Sequence, residues 1–138
     1  MFEIITIAVL FVISMLLNAV ITKWSTKRVL GMEVSWLKST LIVTGRSLCA
    51  LLAGFVLGFA IRLGLTGELD QNVLQITGMV IVAGLSFLAY WILLGKMTNT
   101  RISFWGMTKT VGTEAVMLSM TVIGISVVLS TLFYVFES

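Results

Sequence analysis

The sequence predicts an all-α membrane protein of four transmembrane helices, set out as two tandem, similarly oriented helical hairpins. Three observations lead there: the composition, the length of the apolar runs and the one-sided placement of the bases. Of 138 residues, 59% are hydrophobic and 11% charged, and the mean hydropathy is +1.12. A soluble domain of this size needs a polar coat that so few charges cannot supply. The apolar residues also form long runs rather than stripes, and a helix apolar all round is not solvated by water.

The four spans read as Ile4–Thr22, Thr40–Leu65, Val73–Gly95 and Val111–Phe136. Each is near or above the ~20 residues that a helix needs to cross the hydrocarbon. Barrel strands are shorter, ~10 residues, and alternate in polarity, which these runs do not. The longest connections, Lys23–Ser39 and Lys96–Thr110, leave no room for a soluble domain. With no proline in the chain, nothing forces a kink.

The first span opens on "MFE", with an acidic Glu3, where a secretory signal would place bases. Its bases follow it, at Lys23, Lys27 and Arg28, so it is expected to be an anchor with its N-terminus outside. The first and third connections, with the helix starts beside them, carry those three and Lys38, Arg46, Lys96, Arg101 and Lys109. The other side holds Arg62 alone among bases, with Glu3, Glu68, Asp70 and Glu137. Bases stay in the cytoplasm, so the expected product is a multi-pass protein of an inner (cytoplasmic) membrane with both termini outside. The net charge of +3 then reads as topology and contact with anionic membrane lipid. No nucleic-acid partner is expected, because no dense basic patch with interleaved aromatics occurs.

Trp24, Trp36, Trp91 and Trp105 all fall at the same boundary as the bases. Tryptophan favours the headgroup layer, so these are candidate interfacial anchors; a cation-binding aromatic site is the sharper alternative. Between the first two spans, "VSWLKSTL" (Val34–Leu41) mixes polar and apolar residues as a helix lying on the membrane surface would.

An internal repeat is visible. "SWLKS" leads into the second span and "SFWGMTK" into the fourth, and "VLGFAIRLG" (Val56–Gly64) aligns without a gap on "VIGISVVLS" (Val122–Ser130). One membrane domain, 1–138, is therefore expected to consist of repeats of about residues 1–66 and 70–138. Two crossings per repeat give both the same orientation, related by an axis along the membrane normal.

"RSLCALLAGFVLGFAIRL", a third helix, and then "GTEAVMLSMTVIGISVVLS" resemble the YjfL-like family of small four-span bacterial inner-membrane proteins. The shared pattern is Gly54-Phe55-Val56-Leu57-Gly58-Phe59 in the second helix; "TGR" stands here where the family favours an Asn-type residue. The resemblance implies a bacterial inner membrane and two similar hairpins. It implies no activity, since the family has none established.

On a helical wheel Ser47, Ala50 and Gly58 fall within about 40° of Gly54. Gly112, Ala115, Ser119, Ser126 and Ser130 form a matching stripe within about 60° on the fourth span. Small residues let helices approach closely in lipid, where dispersion supplies the attraction. The stripes are candidate packing faces, between equivalent helices or against a neighbouring subunit. The plainer reading is that glycine is common in membrane helices.

Arg46 and Glu114 hold similar positions near the starts of the second and fourth spans, and together form a candidate ion pair. Glu114 as a proton- or ion-handling carboxylate is the functional alternative. Asn18 and Gln75 read as interhelical hydrogen-bonding groups, and Arg62 as a snorkelling base within reach of Glu68 and Asp70.

Much of catalysis is excluded. No histidine means no His-ligated haem or metal and no Ser-His or Cys-His pair, and Cys49 is alone. No cofactor, metal or catalytic residue is expected, and the chain is not read as an enzyme. Two classes remain: a structural or accessory subunit, as a homo-oligomer or on a larger membrane partner, and an oligomeric ion channel or small transporter. Four-span drug exporters are a poor match, because the first helix here holds no carboxylate in its interior.

Overall fold

A computed structural model describes residues 1–65 and 67–137, the side chain of Glu137 excepted. The charge expected at Glu137 therefore lies outside the described residues. Four helices account for nearly all of the chain: α1 (Phe2–Leu30), α2 (Trp36–Arg62), α3 (Gln71–Thr98) and α4 (Phe104–Glu137). No strand occurs among the described residues. All four helices are long and apolar enough to cross a membrane. Even α2, with 27 residues, extends about 40 Å against ~30 Å of hydrocarbon.

Each helix outruns the apolar run that announced it, because hydropathy marks where lipid stops and capping marks where the helix stops. α1 continues through Lys23 to Leu30 and ends on Gly31, whose left-handed φ of 67° lets its N–H reach Lys27 O at 3.1 Å. No separate surface helix forms at Val34–Leu41. Ser35 is the N-cap of α2, accepting from the Lys38 N–H at 3.3 Å, and α2 runs on from Trp36 without a break. Ser103 does the same for α4, accepting from the Gly106 N–H at 3.0 Å. The serines that lead into the second and fourth spans thus perform the same task.

Two compact units emerge: one holds α1 and α4, the other α2 and α3. The paired helices come from different expected repeats, and the tandem-hairpin arrangement is not shown. In the α2–α3 unit the chains run antiparallel: Lys38 Nζ donates to Met97 O (3.0 Å), and Cys49 Sγ lies 3.9 Å from Leu85 O. Gly45 is the close approach, since a Cβ built there would stand 2.6 Å from Leu93 Cδ1. Ile42, Val43, Tyr90 and Leu94 make this unit's buried core, all at the basic end of the two helices.

The α1–α4 unit is buried at its basic end too, but its core is largely polar. Ala19, Ile21 and Met107 accompany Thr22, Ser25, Thr26, Thr110 and Glu114. Away from that end both helices are open: residues 2–14 of α1 and 122–136 of α4 are exposed throughout.

Candidate functional site

The buried polar cluster of the α1–α4 unit is the strongest candidate site. "ITKWST" (Ile21–Thr26) places hydroxyls at Thr22, Ser25 and Thr26, a spacing of i, i+3 and i+4 that puts them on one face of α1. On α4, Thr110 and Glu114 are likewise one turn apart. Ser25 Oγ lies 3.1 Å from Glu114 Oε1 and 3.1 Å from Thr22 O, so its single proton serves one acceptor at a time. Thr26 donates to Thr22 O at 2.6 Å, and Thr110 to Gly106 O at 2.8 Å.

Two features set the cluster apart from ordinary helix back-bonding. Glu114 is 3% exposed, and a carboxyl held away from water must be protonated, hydrogen-bonded or matched by positive charge. Thr22 Oγ1 is fully buried and has no hydrogen-bond partner, while the neighbouring hydroxyls are all engaged. The set consists of hard oxygen donors. No group of three His, Cys, Asp or Glu able to hold a metal ion occurs among the described residues. Glu114 was legible in the sequence as a charge in an apolar run. The three α1 hydroxyls were passed over, although their spacing at the end of an apolar span was the available signal.

Arg46 sits in the other unit, where its guanidinium lies 4.9 Å from the ring centroid of buried Tyr90. A cation over an aromatic face is stabilised by ~0.5–2 kcal/mol between full exposure and full desolvation, and Arg46 is half-buried. Arg46 and Glu114 thus each have a described contact in their own unit.

Of the small-residue stripes, Ala50, Gly54 and Gly58 line an open groove of about 560 Å³ between α2 and α3, facing Gln75, Gly78 and Ser86. A Cβ built on Gly54, Gly58 or Gly112 meets no atom within 4 Å. Gly45, which the wheel did not single out, takes the close-approach role instead. Ser47 is half-buried; on α4, Ala115, Ser119, Ser126 and Ser130 are exposed. Ser119 and Ser126 turn their hydroxyls back to the carbonyls of Ala115 and Val122, both at 2.8 Å.

Among the boundary residues, Trp36 and Trp105 are exposed, and Trp24 carries the Arg28 guanidinium 5.2 Å from its ring centre. Trp91 donates its Nε1–H to Ile102 O at 2.9 Å, so its polar edge is satisfied by the chain itself. Asn18 bonds back to Ser14 O (2.8 Å), while Gln75 faces the groove. Lys27 and Glu33 form an exposed ion pair at 2.5 Å. The hydrogen bond from Lys27, and then its charge, hold the Glu33 carboxyl below its ordinary pKa. Arg62 makes no ion pair with Glu68 or Asp70; Asp70 caps α3 by accepting from the Asn72 N–H at 3.3 Å. No protein-family profile, curated protein or solved structure matches this chain.

Proposed function

We propose that this chain is a non-enzymatic subunit of a membrane assembly, joining copies of itself or a larger membrane protein. The YjfL-like resemblance and the charge bias place it, in this reading, in a bacterial inner membrane with both termini outside. One observation carries the proposal: Gly54 and Gly58 stand in an open groove with nothing within 4 Å of an added Cβ. Small residues on a membrane helix are useful where another helix comes close, and α3, the partner of α2 in its own unit, leaves the groove open there. Gly54→Leu or Gly58→Leu should therefore shrink the particle in mild detergent, read by native mass spectrometry. Val56→Leu, at a position 63% exposed and two residues from each stripe glycine, should not. If all three variants assemble alike, the stripe is no interface.

A second reading is ion or proton handling by an oligomer, favoured by the orphaned Thr22 hydroxyl on the face that carries Ser25 to Glu114. Its test is Glu114→Gln in liposomes. Loss of flux with assembly intact supports this reading, and unchanged flux ends it.

A further inference from the structure

A basic, apolar-floored groove at the C-terminal end of α3 fits an amphiphile. It encloses about 570 Å³. Leu88, Ile92 and Lys96 follow one another at intervals of four, so two apolar side chains and then an ammonium lie along one line of the helix. Trp91 and Gly95 complete its wall.

The second base is brought in by a constructed turn. Asn99, in the left-handed region at φ 50°, ends α3 and reverses the chain. Thr100 N–H then donates to Gly95 O at 3.2 Å, and the Trp91 indole donates to Ile102 O. The turn packs close on Gly95, where a Cβ would stand 3.4 Å from Thr100 O, at the edge of ordinary contact. Arg101 is thereby held between two anchored neighbours at the mouth of the groove. Neither Lys96 nor Arg101 has a carboxylate partner among the described residues. Complementing the negative end of the α3 dipole accounts for one base there. It accounts neither for a second base carried back on a pinned loop nor for the apolar floor.

We propose that this groove is a binding site for a single anionic phospholipid. The headgroup phosphate lies between Lys96 and Arg101, and an acyl chain lies along Leu88 and Ile92. Zwitterionic lipid offers the same chains without net charge, so two unpaired bases select the anionic headgroup. The inference rests on residence in a membrane and not on the subunit reading.

Brominated lipids quench tryptophan on contact. The protein with Trp24, Trp36 and Trp105 replaced by Phe leaves Trp91 as the sole reporter. In phosphatidylcholine nanodiscs, brominated phosphatidylglycerol should quench Trp91 at a lower mole fraction than brominated phosphatidylcholine. Lys96→Gln and Arg101→Gln should each lower that preference about fivefold, the equivalent of ~1 kcal/mol per base at a membrane surface. Lys96→Arg and Arg101→Lys should retain it, and so should Lys109→Gln. Native mass spectrometry of the unsubstituted chain should show one phosphatidylglycerol retained, and the double Gln variant should lose it. Equal quenching by both lipids, or a preference that survives the double variant, overturns the proposal. Displacement by millimolar inorganic phosphate also overturns it, since the site would then hold a free anion and not a lipid.

Discussion

Gly45 is the position at which the α2–α3 pairing is most exposed to a single substitution. A Cβ there would stand 2.6 Å from Leu93 Cδ1, the free end of a side chain that can turn aside. Gly45→Ala sets two small effects against each other. Replacing glycine inside a helix gains ~1 kcal/mol. Driving Leu93 off its rotamer costs ~0.5–1.5 kcal/mol. The net change should be close to zero. Gly45→Leu is different, because three further carbons enter a gap that does not admit the first, and overpacking costs ~1–3 kcal/mol. Gly84 on α3 is the control, since a Cβ built there meets nothing within 4 Å. Gly84→Leu has the same helix gain of ~1 kcal/mol without the overpacking, so the two leucine variants should differ by ~1–3 kcal/mol. Reversible unfolding in mixed micelles with rising SDS, followed by far-UV circular dichroism, measures the difference. Equal stability of Gly45→Leu and Gly84→Leu would refute the pairing of α2 with α3 through Gly45.

Thr22→Val removes a buried hydroxyl that has no partner, so it should stabilise the protein by ~1 kcal/mol in the same assay. Ser25→Ala takes a donor from Glu114 and should cost ~1 kcal/mol; the reverse order of these two variants would contradict the cluster's geometry. For Arg46→Ala and Glu114→Ala, a double-mutant cycle should give a coupling of ~1 kcal/mol if the proposed ion pair holds, and none if each acts alone. Glu33 has its pKa depressed in the folded state, so its contribution is present above the unfolded-state pKa and fades as pH falls through the folded value. An NMR titration should place the Glu33 midpoint below the ordinary carboxylate value, and Lys27→Gln should move it back up.

The helices were legible in the sequence because lipid imposes length and uniform apolarity on them. Their ends were less so: Gly31, Ser35, Asn99 and Ser103 stop or start helices through local hydrogen bonds that hydropathy does not register. The pairing of α2 with α3 was not legible for a related reason: packing follows shape, and Gly45 against Leu93 is a fit that only coordinates reveal. The glycine wheel found the stripe on α2 but not the groove that it lines, since small side chains serve a close contact or an open groove alike. At the buried cluster, Glu114 stood out as a charge. Thr22 and Ser25 did not, because hydroxyls are frequent in membrane helices and usually bond back to their own helix, as Thr26 does.

The proposed role as a subunit turns on what covers the open face of α2 in a bilayer. Native mass spectrometry of the chain released from nanodiscs made directly from its own membrane, without detergent, reads this most directly. The account predicts a defined particle containing more than one 15.1 kDa chain, or one such chain with a larger protein, which falls apart on Gly58→Leu. A lone chain with only lipid, unchanged by that substitution, would contradict it.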